Sequence, residues 1–225
     1  MTQSNNPRCD DDDEPKQPTP PMMVPKKKPY QHFEQTFQAC HIHFYLSEEI
    51  GEPADYVEMI HRIRNATPAD IVFVHLNTPG GRIDTGVQLI NAMKSSAAKV
   101  VTVLESTAYS LGTLIFLAGD EMVVHDNCMM MFHNFRSGVT GKGNEQAVQI
   151  SAQIRWFGQL AERTYVPFLT KDELKRVLRG EDLWMQSAEI RKRLERATKQ
   201  HHAKKPGRKP GRKGKKKVEQ PESVE

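Results

Sequence analysis

Ser110 lies in Ala108-Tyr109-Ser110-Leu111-Gly112, just after an apolar strand pattern at 99–104 (KVVTVL) and at the opening of an apolar run that reads as a helix. A hydroxyl at a helix N-terminus meets free backbone N–H groups and the positive end of the helix dipole, and both stabilise an alkoxide or oxyanion. Most isolated serines at such places are N-caps. His133, 23 residues on, closes Met129-Met130-Met131-Phe132-His133. An imidazole is the side chain most often used as a general base, although a lone histidine at a strand end is more often packed or solvated. Asn77-Thr78-Pro79-Gly80-Gly81 follows an apolar strand and supplies a glycine pair whose backbone N–H groups no side chain would cover. Walker-type nucleotide hydrolysis is not expected, because no GxxxxGK[ST] occurs in the chain.

The elements that must hold these residues follow from periodicity. Residues 40–46 (CHIHFYL) alternate as a strand, and 53–65 have helical spacing through Tyr56, Met59, Ile60 and Ile63. Residues 71–76 (IVFVHL) read as a buried strand, followed by a helix face of Ile83, Val87, Ile90 and Met93. A third strand at 99–104, an apolar helix at 108–117 and short strands at 121–125 and 129–133 come next. Such alternation implies a parallel sheet with crossover helices, an α/β class. Residues 144–165 form one long helix with an apolar seam at Ala147, Ile150, Ile154, Phe157, Ala161 and Thr164, approached through Gly138, Gly141 and Gly143. Thr170 to Glu173 has capping-box spacing, the helix it opens should stop near Gly180, and 187–197 reads as a last charged helix.

In this order and spacing, LNTPGG, AYSLG, MMFHN and the later LWMQSAEI resemble the Clp protease proteolytic subunit (ClpP) family over roughly 44–195. The resemblance implies a ClpP/crotonase-type fold with a long handle helix, and a serine endopeptidase with Ser110 as nucleophile and His133 as general base. It also implies an oxyanion hole at the backbone N–H groups of Gly81 and Leu111, subunits stacked in rings, and polypeptide substrates delivered by a separate AAA+ unfoldase. The third catalytic residue departs from the family: an ungapped register puts Leu178 where an aspartate is expected. Asp182 is the preferred substitute and Glu181 the second, because Gly180 permits a bend and the run 183–185 would anchor a short carboxylate beside the base. Small ClpP-like chains with unusual tails also occur among bacteriophage head-maturation proteases. A catalytically silent ring or scaffold and a crotonase-like acyl-CoA enzyme stay open as alternatives.

The chain has 225 residues, 37% of them hydrophobic, and a net charge of +4 from 32 basic and 28 acidic residues. Ten of the basic residues fall in 199–217 with no acid among them, so the remainder carries −6. A disordered acidic, proline-rich leader at 1–39, a peptidase domain at 40–198 and a disordered basic tail at 199–225 are the expected divisions. Three widely spaced cysteines, Cys9, Cys40 and Cys128, point away from a disulfide framework and toward a reducing setting. With no basic-then-apolar N-terminal segment, the expected location is the cytoplasm, or the virion for a phage protein. The longest uncharged stretch, 106–119, is too short to span a bilayer. His41 and His43 share a strand face and could bind a metal, but with no acid or cysteine partner evident for them neither metal nor other cofactor is expected. Trp156 is expected to serve packing. Two Pro-Gly-Arg-Lys repeats place Arg208, Lys209, Arg212 and Lys213 where DNA or another polyanion would be held by charge. Deleting 204–217 should abolish retention on DNA, measured as a salt-dependent binding isotherm, and leave small-peptide hydrolysis unchanged.

Overall fold

The computed structural model describes residues 38–204; the leader expected before this span and the repeats bearing Arg208, Lys209, Arg212 and Lys213 lie outside the described residues. Strands β1 (His41–Leu46), β2 (Ile71–Thr78), β3 (Lys99–Tyr109), β4 (Glu121–Val124), β5 (Met129–Phe132) and β6 (Leu183–Gln186) make one sheet. Its order is β1-β2-β3-β5-β6, with β4 also on β3. Every pairing is parallel except β5 with β6. Crossovers run through a 3-10 turn (Pro53–Tyr56) and α1 (Val57–Arg64), then α2 (Ile83–Ser95), then α3 (Leu111–Phe116), as the alternating pattern requires.

Burial alternates along β2: Val72, Val74, Leu76 and Thr78 are buried, whereas Ile71, Phe73 and His75 are half-buried on the other face. The buried set packs with Met59, Ile60 and Ile63 of α1 and Leu89, Ile90 and Met93 of α2 in one core. The opposite face carries His41, His43 and Tyr45, and Tyr45 is 66% exposed. Val101 and Val103, in register with Phe73 and His75, are buried on that same face, and its exposure lies along β1 and β4.

Two strands outrun their apolar patterns. Leu76 pairs with Leu104, yet Thr78 pairs with Ala108, so β3 spends two more residues than β2 in a bulge and then runs on to Tyr109. Thr107, Ala108 and Tyr109 pair with Met129, Met130 and Met131. The helix expected at 108–117 therefore begins only at Leu111, because a short apolar run does not itself distinguish strand from helix.

α4 (Gly143–Tyr165) has the expected length, but only its C-terminal part is buried, through Phe157, Leu160, Ala161 and Tyr165. Ala147, Ile154 and Trp156 of its first two-thirds are exposed, so the apolar seam leaves the body of the domain and Trp156 does not pack within it. α5 (Lys171–Leu178) opens with the predicted box, Thr170 Oγ1 accepting from the Glu173 N–H and the Glu173 carboxylate accepting from the Thr170 N–H. It closes where expected. Glu181 N–H donates to the Arg176 carbonyl and Gly180 N–H to that of Val177, with Gly180 at φ 103°, a Schellman closure. α6 (Ser187–Lys204) continues beyond the expected end at 197.

Arg193 of α6 reaches back to Glu173 with hydrogen bonds of 2.7 and 2.9 Å, joining α5 to α6. That guanidinium, with the Thr170 backbone and hydroxyl, holds the Glu173 carboxyl down to about 2 from its ordinary 4.5, against the opposing effect of burial. A carboxyl more acidic in the folded than in the unfolded chain stabilises above its unfolded pKa. Its contribution is lost as pH falls from about 4.5 through about 2. Glu173→Gln should cost about 2 kcal/mol at pH 7 in urea unfolding, and its difference from wild type should vanish at the acid end of that window.

Candidate active site

The site is assembled at the ends of β2, β3 and β5. Ser110, the residue between β3 and α3, has φ 52° and ψ −119°. A non-glycine residue held there costs on the order of 1–3 kcal/mol and persists only where the surroundings over-determine it. The Ser110 N–H donates to the Met131 carbonyl of β5 at 2.9 Å, and its carbonyl accepts from the Thr113 N–H at 3.0 Å. The sharp turn lifts the side chain out of the sheet and into a cleft.

Beside it lies the glycine turn. A Cβ on Gly80 would stand 2.8 Å from both Ser110 Cβ and the Tyr109 carbonyl oxygen, and one on Gly81 would stand 2.2 Å from the Ile50 carbonyl oxygen. Both have positive φ, 102° and 146°. The turn is pinned by Ile50 N–H donating to the Gly80 carbonyl at 2.7 Å and Arg82 N–H to the Ile50 carbonyl at 2.8 Å. Gly80 N–H is taken by Thr78 Oγ1 at 3.1 Å. Gly81 N–H has no acceptor among the described residues, and Leu111, as the first residue of α3, has no intrahelical one. Two free amide donors thus flank Ser110, the arrangement an oxyanion needs.

His133 follows β5 directly and shares the cleft with Ser110, Gly81 and Leu111. The cleft holds about 460 Å³, with Ile83, Leu114, Phe135 and Phe157 giving it apolar walls and Arg82 and Arg136 also lining it. Asp182 does not line it. The β5–β6 ladder ends at the pair Phe132–Leu183, and His133 and Asp182 are the residues that flank this last pair. Glu181 is engaged elsewhere: Arg176 binds it, at 2.7 Å through Nε, and lowers its pKa. Leu178 ends α5, where its carbonyl accepts from Asn134 Nδ2 at 2.9 Å. Ser110 Oγ, the His133 ring and the Asp182 carboxylate make no hydrogen bonds among the described residues.

A family profile described as Clp protease matches residues 26–193, well over half of the chain. The chain belongs to the Clp protease family. Similar proteins each carry the name ATP-dependent Clp protease proteolytic subunit. One from Streptococcus suis (strain 98HAH33) is 32% identical over 81 residues, 35% of this chain and 41% of the relative. One from Ostreococcus tauri is 26% identical over 97 residues, 42% and 48% respectively. A third, from Streptococcus pyogenes serotype M5 (strain Manfredo), is 31% identical over 77 residues, 33% and 39%. The matched stretches span less than half the length of these relatives.

Two groupings in this Clp protease family member escaped the sequence reading because their members are far apart in the chain. His43 Nδ1 lies 3.0 Å from His75 Nε2, and His75 Nδ1 lies 2.6 Å from Glu105 Oε1, so His43 is linked to an acid through His75. No group of three or more metal-type ligands occurs among the described residues. The second grouping, Thr113 with Tyr165, stands behind Ser110 at 2.7 Å between hydroxyls. Among the described residues, Cys40 and Cys128 are free thiols, and no helix is long and apolar enough to cross a membrane.

The fit of the glycine turn to Ser110 is directly testable. Gly80→Ala should slow fluorophosphonate labelling of Ser110 by about a hundredfold, through displacement of the Ser110 side chain. Gly138→Ala, where an added Cβ meets nothing within 4 Å, should label at the wild-type rate.

Proposed function

We propose that this chain is a serine endopeptidase acting on unfolded polypeptides inside a ring of its own copies, with Ser110, His133 and Asp182 as its catalytic groups. The observation that carries the reading is the backbone turn at Ser110, which sets a hydroxyl, an imidazole and two free amide donors around one cleft. Ser110 Oγ attacks the peptide carbonyl carbon as His133 takes its proton. The oxyanion is stabilised by the N–H groups of Gly81 and Leu111. Collapse breaks the C–N bond, and His133 returns the proton to the leaving amine. Water, deprotonated by the same imidazole, then hydrolyses the acyl-enzyme. Asp182 accepts from the second ring nitrogen of His133, fixing tautomer and orientation.

Assembly into stacked rings is supported by two unpartnered surfaces, the sheet face exposed along β1 and β4 and the projecting part of α4 with Val148 and Ile154 exposed. Delivery of substrate by a separate ATP-driven unfoldase fits the relatives' name, and the basic tail would hold a polyanion outside the peptidase core.

Intact mass after fluorophosphonate treatment tests the nucleophile. Wild type should gain one adduct and Ser110→Ala none, with hydrolysis abolished and the fold retained; an adduct persisting in the variant rejects the assignment. Asp182→Asn should lower kcat by about a hundredfold or more with KM little changed, while Glu181→Gln should act as wild type. Full activity in both would replace the triad by a Ser-His dyad.

A further inference from the structure

The carbonyl of Ser110 receives a second hydrogen bond, from Thr113 Oγ1 at 2.6 Å. A carbonyl can only accept, so the Thr113 hydroxyl proton is spent there. Thr113 Oγ1 must then accept from the phenol of Tyr165, 2.7 Å away. The direction of this short chain is fixed: Tyr165 O–H to Thr113 O–H to the Ser110 carbonyl. Both side chains are buried, with Thr113 at 0% and Tyr165 at 1% exposure, so no water competes for the bonds. Burial pushes the Tyr165 pKa up, which keeps the phenol a donor.

Tyr165 also touches the other arm of the site. Its ring packs edge-on against Phe132, centroids 5.0 Å apart at 80°, and Phe132 is the residue before His133. One side chain at the end of α4 therefore braces both the backbone that presents the nucleophile and the strand that presents the base. We propose that Tyr165, acting through Thr113, is a positioning residue that sets the Ser110 hydroxyl in reach of His133, an inference that rests on the reading of Ser110 as nucleophile. Stability alone would not call for this pair. Two buried polar groups replaced together by apolar ones of the same shape leave nothing unsatisfied and change stability little. What an apolar pair cannot do is give the Ser110 carbonyl a second hydrogen bond beside that of the Thr113 N–H.

The test is steady-state peptide hydrolysis and fluorophosphonate labelling of the full chain, beside thermal melting, for Tyr165→Phe, Thr113→Val, their double variant and Thr113→Ser. Tyr165→Phe and Thr113→Val should each lower kcat and the labelling rate by about tenfold with KM unchanged. The double variant should be no slower than the worse single variant, since the two groups act as one unit. Thr113→Ser, which keeps the hydroxyl, should recover to within about twofold of wild type. Wild-type kcat and labelling in the variants, whatever their melting temperatures, would make the pair purely structural and overturn the proposal. A raised KM at constant kcat would do the same by making it a substrate contact. Should the double variant fail to fold, Tyr165→Phe and Thr113→Ser still decide. If wild-type Ser110 itself is not labelled, the peptidase reading falls and takes this inference with it, whereas labelling at equal rates in wild type and variants rejects this inference alone.

Discussion

A serine at φ 52° is a backbone that nothing local favours. The surrounding fold supplies what is needed to hold it. β3 overshoots the register of β2 by a bulge, so its end stands clear of the main ladder. β5 joins β3 along that extension and takes the Ser110 N–H through Met131. Thr113 binds the carbonyl from the helix side, and Gly80 lets the neighbouring turn press against Ser110 with no Cβ between. Each of these features has a plain cost: a bulge, a glycine pair, a buried hydroxyl. Together they turn a strained residue into a fixed one.

The acids near the site show how geometry assigns roles among similar groups. Glu181 and Asp182 are adjacent, yet Arg176 occupies the first, while the second directly precedes the Leu183 that pairs with Phe132. Glu173 is fully committed to Arg193 and to its own helix cap. Asp182 makes no hydrogen bond among the described residues, so of these three it retains free acceptor capacity for an imidazole.

The domain's outer surfaces follow a different economy. One face of the sheet is sealed by α1 and α2 and is apolar. The other carries stacked imidazole and phenyl rings, with His43 on Phe73 at 4.6 Å and Tyr45 on His75 at 4.4 Å, and is exposed along β1. α4 divides likewise, its last turns forming core and its earlier turns extending outward. Membership of the Clp protease family gives these surfaces a context, since they are the parts of the fold that this chain's described residues leave uncovered.

Local period was legible without coordinates. The strand at 71–76, the helix face at 83–93, the long helix to Tyr165, the Thr170 box and the stop at Gly180 depend on neighbours within a few residues, so composition and spacing determine them. Ser110, His133 and the glycine pair could be named from residue type and order for the same reason. β6 was missed as a strand because four residues carry no period of their own; its antiparallel pairing with β5 comes from contact across the chain. The same pairing, and not counting along the chain, sets Leu183, the residue after Asp182, against Phe132, the residue before His133. Thr113 and Tyr165 are 52 residues apart, and His43 and His75 are 32 apart. Sequence spacing says which residues share an element. Which residues face each other across elements depends on register and packing, and those are decided only when the whole core closes.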